Sequence, residues 1–146
     1  MPFTGGCLCG AVRFEVDDLA GPFELCHCQR CRQLTGSRYA ATIRVSAEAF
    51  CLTQGAENIQ RFEAPLLFQP PPYTVHFCSN CGSKVPSSET DQDWLEIHAG
   101  LFDTDLPLMP DRHIYAEYLP VWDEISDGLP DFNREQVKAL RLGDKT

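Results

Sequence analysis

Seven of the eight cysteines fall into three tight groups, and this grouping limits what the chain can fold into more than any other feature. Cys7-Leu8-Cys9 comes first, Cys26-His27-Cys28-Gln29-Arg30-Cys31 follows, and Cys78-Ser79-Asn80-Cys81-Gly82 comes last, with Cys51 standing apart. In an extended chain, residues i and i+2 project to the same face. Each Cys-x-Cys pair can therefore aim both sulfurs at one ion without bending the backbone. Cys-x-x-Cys followed by glycine is a tight turn that gathers two thiolates, as in zinc knuckles. Such a set can instead form disulfides, or a redox pair at Cys28/Cys31 or Cys78/Cys81. Disulfides are disfavoured here. The start of the chain shows no basic segment leading into an apolar run, which predicts a cytoplasmic protein whose thiols stay reduced.

Ligand counting then divides the cysteines. Zinc takes four tetrahedral ligands, with sulfurs about 2.3 Å from the ion. Cys7 and Cys9 supply two and Cys78 and Cys81 supply two more, a closed site predicted to hold the fold together. Cys26, Cys28 and Cys31 make three ligands in six residues, and no second cysteine cluster remains to complete them. Three protein ligands with an open fourth position are the arrangement expected of a catalytic zinc. The expectation is thus two zinc ions per chain, one structural and one catalytic. The other reading makes both sites structural, with His27, His76 or Cys51 as the eighth ligand. Strand alternation turns His27 away from a metal held by its neighbours, and Cys51 sits in an apolar strand pattern that reads as a buried, inert thiol. Arg30 and Arg32 flank the middle cluster and offset the charge of its thiolates.

The rest of the chain reads as one domain over 1–146, with a terminal helix and tail over 130–146. Segment 12–16 alternates apolar and charged residues, as a strand with one buried face should. Similar signals cover 39–45, 50–53, 59–62, 73–77, 94–98 and 114–118. Two segments read as helices: 29–34, stopping at Thr35-Gly36, and 130–142, with Asn133 as N-cap and Gln136 three residues on. Gln69-Pro70-Pro71-Pro72 reads as a rigid loop. The result is a mainly β, antiparallel protein with one short and one C-terminal helix. A net charge of −9 over 146 residues argues against a nucleic-acid surface, which needs a basic face. No run approaches the roughly 20 apolar residues that cross a bilayer.

These residues also carry a resemblance. Gly6-Cys7-Leu8-Cys9-Gly10 with Val12-Arg13-Phe14, the Cys26 to Arg32 run with Thr35-Gly36, and Phe77-Cys78-Ser79-Asn80-Cys81-Gly82 occur in the order and spacing of one group. Ala99-Gly100-Leu101-Phe102-Asp103, His113-Ile114-Tyr115 and Trp122 match as well. The chain resembles the glutathione-dependent formaldehyde-activating enzymes, also called the centromere protein V type. The resemblance implies an Mss4-like fold of folded antiparallel sheets. It also implies a closed zinc site from Cys7, Cys9, Cys78 and Cys81, and an open one from Cys26, Cys28 and Cys31.

The activity it implies is that of a carbon–sulfur lyase, joining formaldehyde and the glutathione thiol as S-(hydroxymethyl)glutathione. On that expectation the catalytic set is Cys26, Cys28 and Cys31 with His27, and the partner is a small thiol such as glutathione. His98 and His113 are further candidates for the proton transfer that such chemistry needs. The rival expectations are a zinc-stabilised binding module without catalysis, since fold does not fix function, and a glutathione or thiol carrier. Arg30, Arg32, Arg38 and Arg44 are the candidate cations for the peptide carboxylates, by nearness in sequence alone.

Overall fold

The alternation expected at 12–16 is realised side chain by side chain. In the computed structural model, which describes residues 2–65 and 73–144, strand β2 (Arg13–Val16) buries Phe14 and Val16 while Arg13 and Glu15 stay partly exposed. It is the central strand of an antiparallel sheet, between β1 (Phe3–Gly6) and β5 (Phe50–Gln54). The Phe14 ring meets Phe102 edge-on at 5.5 Å and Phe50 at 5.9 Å, the offset geometries that aromatic quadrupoles favour. Position 5 must be glycine, because a Cβ there would sit 2.5 Å from the Leu101 carbonyl oxygen and 2.6 Å from Phe14 Cζ. Asp103 closes the same region by pairing with Arg13 and accepting the Thr4 hydroxyl at 2.6 Å.

The chain folds as two compact units interleaved in sequence: Met1–Gly21 with Arg44–Leu106, and Pro22–Ile43 with Pro107–Thr146. The first unit adds to its sheet a hairpin of β6 (Ile59–Glu63) and β7 (Thr74–Cys78), registered so that Ile59 faces Cys78. It also holds β8 (Trp94–His98), which buries Leu95 and Ile97. Arg44 lies 3.8 Å over the Trp94 ring, so this cation is used in packing.

The second unit is built on β3 (Phe23–Cys26), whose four residues are all buried. It pairs antiparallel with β4 (Ala40–Ser46), from Phe23 opposite Ile43 to Cys26 opposite Ala40. On its other side it runs parallel to β9 (Arg112–Ile114), which in turn runs parallel to β10 (Asp131–Phe132). Helix α1 (Gln29–Thr35) follows β3 and stops at Gly36 with φ 67°, the left-handed cap that glycine adopts without a Cβ penalty. Helix α2 (Arg134–Asp144) opens on a reciprocal cap: Asn133 Oδ1 accepts from Gln136 N–H at 2.9 Å, and Gln136 Oε1 accepts from Asn133 N–H at 2.8 Å. Its Val137 is buried.

Most strands expected from the sequence are present, and the mainly β fold with one short and one C-terminal helix is as expected. Segment 114–118 differs. The strand ends at Ile114, Tyr115 turns with φ 57°, and Ala116–Tyr118 form a 3-10 turn. The extended register at 112–114 is set by hydrogen bonding to two parallel neighbours, which local alternation does not encode. β1, β3 and β10 were not foreseen, being short or, in β3, continuously buried instead of alternating. The Pro-rich loop expected at 69–72 lies outside the described residues. No helix among the described residues is long and apolar enough to cross a membrane.

Glu24 carries the most exacting polar contact of the second unit. Its buried carboxylate takes Arg141 on both oxygens, at 2.6 and 2.9 Å, with Arg112 at 3.7 Å. A buried charge stripped of its partner is costly, by about 3 kcal/mol or more. Arg141→Ala is therefore expected to lower unfolding stability by about 3 kcal/mol in urea titrations. Adding Glu24→Gln is expected to return part of that loss.

Candidate metal centres

In the first unit, Cys7 follows β1, Cys9 lies two residues on, Cys78 ends β7 and Cys81 sits in the turn that follows. Their four sulfurs lie within 4.8 Å of one another, with Cys7–Cys9 at 3.6 Å and Cys9–Cys78 at 3.8 Å. A tetrahedron with sulfurs about 2.3 Å from its centre has edges of about 3.8 Å, so the set fits one thiolate-bound ion such as zinc. Backbone geometry prepares the site. Val12 N–H donates to Cys7 Sγ at 3.2 Å, and Gly82, at φ 81°, returns its N–H to the Cys78 carbonyl at 2.8 Å. The Ser83 hydroxyl beside Cys81 holds that thiol down at about 5, aided by the Ser83 backbone N–H. Val12, Val85, Cys7 and Cys78 pack as one buried cluster, with Leu52 and Ile59 against it.

In the second unit, Cys26, Cys28 and Cys31 also gather within 4.8 Å, and no fourth Cys, His, Asp or Glu of the described residues joins them. Cys26 ends β3, Cys28 caps α1 and Cys31 lies in its first turn. Cys28 Sγ lies 3.5 Å from Cys26 Sγ and accepts the Cys31 N–H at 3.3 Å. The neighbouring thiols of Cys26 and then Cys31, with the N–H groups of Cys31 and Arg30, hold Cys28 down at about 3. The same coupling pushes Cys26 and Cys31 up. Cys28 is thus the first thiolate of the three.

Each histidine expected at a site has a definite place. His27 is fully buried, and its Nε2 lies 2.7 Å from His113 Nδ1, whose Nε2 lies 2.8 Å from Asp127 Oδ2. The carboxylate accepts, so His113 carries its proton on Nε2, and its Nδ1 accepts from His27 Nε2–H. His27 Nδ1 is buried without a hydrogen-bond partner. Burial, then the nearby His113, pushes the His27 pKa down. The ring packs edge-on against Tyr39 at 5.5 Å and is not grouped with the sulfurs. His98 lies in the first unit and is depressed by burial and then by Lys84.

His76 and Cys51 belong to neither cluster. Cys51 is exposed on β5, not buried as its apolar neighbours suggest; Phe50 and Leu52 take the inward face and alternation turns Cys51 outward. Tyr115 is the residue that sequence reading did not single out for chemistry. It packs against the Cys26–Ile114–Val137 cluster beside Cys28 and Cys31. Its phenol is held protonated by burial and then by the charge of Cys26. Among the described residues it is also the one non-glycine at positive φ, a backbone state that costs on the order of 1 kcal/mol or more and concentrates at functional sites. In sequence it stands only as the last residue of His113-Ile114-Tyr115, one of the segments that carry the resemblance.

A small β framework with one four-thiol and one three-thiol cluster defines a cysteine-framed class of protein whose sulfurs are spaced to hold metal ions. Within that class, the chain belongs to the glutathione-dependent formaldehyde-activating enzyme family, whose sequence model matches residues 2–118. It is 36% identical over 146 residues to a Halomonas elongata protein that carries the same family name, covering 96% of this chain and 87% of that one. Its fold is similar to the crystal structure of a Rhodobacter sphaeroides protein, with a TM-score of 0.51 and 21% identity, over 88% of this chain and 98% of that one.

The two clusters are expected to respond differently to loss of one sulfur. Cys78→Ser should lower the melting temperature by about 10 °C or more, because a closed structural site contributes folding energy directly. Cys28→Ser should cost one equivalent of bound metal with a far smaller shift. Elemental analysis and thermal melting followed by circular dichroism read both.

Proposed function

We propose that the chain is a zinc-dependent carbon–sulfur lyase acting on the adduct of a small aldehyde and a thiol, such as S-(hydroxymethyl)glutathione. The observation that carries this reading is the three-sulfur cluster of Cys26, Cys28 and Cys31, with no fourth donor among the described residues grouped with it. The family description and the name of the Halomonas elongata relative supply glutathione and formaldehyde as the substrate pair. In the adding direction the thiol sulfur forms a bond to the aldehyde carbon, the C=O π bond breaks, and one proton passes from sulfur to oxygen. No oxidant or reductant takes part. We read residues 1–146 as one catalytic domain working in a reducing cytoplasm, which suits eight free thiols.

Cys26, Cys28 and Cys31 would hold one zinc ion, and Cys7, Cys9, Cys78 and Cys81 a second that is structural. Zinc bound by three thiolates with an open position supplies Lewis acidity that keeps a thiol ionised at neutral pH. The residues of the chain supply the rest. Cys28, ionised first and fixed by the Cys31 N–H, orients the cluster. Tyr115, kept protonated by burial and the neighbouring sulfurs, is the group we assign to donate a proton from its Oη to the developing alkoxide. His27 serves the site by position. Its backbone N–H bonds the Ile114 carbonyl at 3.0 Å, and its ring is tied to His113 and Asp127, so the Cys26–Cys28 segment cannot swing.

Exchange NMR of formaldehyde with glutathione tests the reading. The zinc-loaded protein should raise the exchange rate well above the spontaneous one, and Cys28→Ser should abolish the effect. Glutathione binding without acceleration would make the protein a thiol carrier. Tyr115→Phe should slow turnover by about a hundredfold, the usual worth of a positioned acid, at unchanged zinc content. A variant as fast as the parent would remove Tyr115 from the mechanism.

A further inference from the structure

The second unit contains a cleft of about 440 Å³ lined by Arg32, Gln33, Gly36, Ser37, Arg38 and Trp122. One of its lining residues is tied to the segment that carries the three sulfurs. Arg32 directly follows Cys31, and its Nε donates at 3.2 Å to the carbonyl of His27, the residue between Cys26 and Cys28. The two arginines differ in what they have left to give. Arg38 is spent on Asp123, at 2.7 to 2.9 Å, and on the Glu124 carbonyl. Arg32 donates to two neutral acceptors, the carbonyls of His27 and Tyr118. Among the described residues no carboxylate lies within ion-pair distance of it. On a chain of net charge −9, this uncompensated guanidinium in a concave site selects for an anion, and its planar fork selects for a carboxylate.

One further feature narrows the ligand. Trp122 is 66% exposed at the rim of the cleft, and an indole left in water is a platform for a flat, partly apolar group such as a peptide plane. A peptide carries a carboxylate and an amide plane together; a simple thiol carries neither. Trp122 and Asp123 lie beyond residues 2–118 of the family match.

We propose that this cleft is the subsite for the peptide part of the thiol substrate, with Arg32 binding a carboxylate and Trp122 covering the backbone. The proposal rests on the reading that the three-sulfur cluster engages a thiol, and it explains how a peptide thiol is chosen over a small one.

Calorimetric titration of the zinc-loaded, full-length protein with S-methylglutathione tests it, because the capped sulfur reports the cleft without the thiol chemistry. The parent should bind the free acid. The diethyl ester of the same compound, or Arg32→Gln against the free acid, should weaken binding about tenfold or more, the worth of a charge-assisted bond. Trp122→Ala, an exposed position that the fold does not need, should weaken it about fivefold. No binding by the parent, or equal binding of ester and acid, overturns the subsite. If Arg32→Gln does not fold, the ester comparison and Trp122→Ala decide. The subsite stands and the lyase reading falls if ester discrimination is found without accelerated formaldehyde exchange. Accelerated exchange with equal ester and acid binding does the reverse.

Discussion

Four sulfurs within 4.8 Å of one another repel once ionised, and the first unit is arranged to hold them there. The two halves of the set come from chain segments some seventy residues apart, so the loop-closure cost of bringing them together is substantial. The sheet β1–β2–β5 and the hairpin β6–β7 meet that cost. Each delivers two cysteines from the end of a strand or the turn beside it. Donors already in place, the Val12 N–H on Cys7 and Ser83 beside Cys81, favour the thiolates before any ion arrives. A metal ion in the set would offset the remaining repulsion, which is why we read the closed site as structural.

The second unit solves a smaller version of the same problem and stops short of closing it. Cys26, Cys28 and Cys31 come from one continuous stretch, a strand end followed by a helix start, so no long-range closure is needed to gather them. Long-range contacts serve a different purpose there: they hold the stretch still. Glu24 grips Arg141 on α2, and His27 is tied through His113 to Asp127. These partners all come later in the chain than the cluster, and they fasten β3 and the residue that follows it. The three sulfurs are therefore presented on a fixed edge, with Tyr115 packed against the same buried cluster.

Legibility followed range. The alternation at 12–16, the Asn133/Gln136 cap and the stop at Gly36 are local devices, and each is realised as read. Sulfur groupings were legible because i and i+2 geometry and the Cys-x-x-Cys-Gly turn are local too. Segment 114–118 misled because β9 takes its register from parallel neighbours distant in sequence. Cys51 misled because an apolar neighbourhood in sequence does not say which face of an edge strand is covered. The histidine chain, the strained turn at Tyr115 and the different roles of Arg32, Arg38 and Arg44 leave no mark on short-range patterns.

The seven grouped cysteines thus showed, from sequence alone, which sulfurs stand together as two pairs and a triplet, because that spacing is a property of the local backbone. Tertiary structure decided what stands around the set of three. Whether a histidine joins the sulfurs or turns into the core, and whether an arginine is paired or left positive, depends on partners some eighty to a hundred residues away. Burial and pairing are long-range quantities, and only the folded chain assigns them.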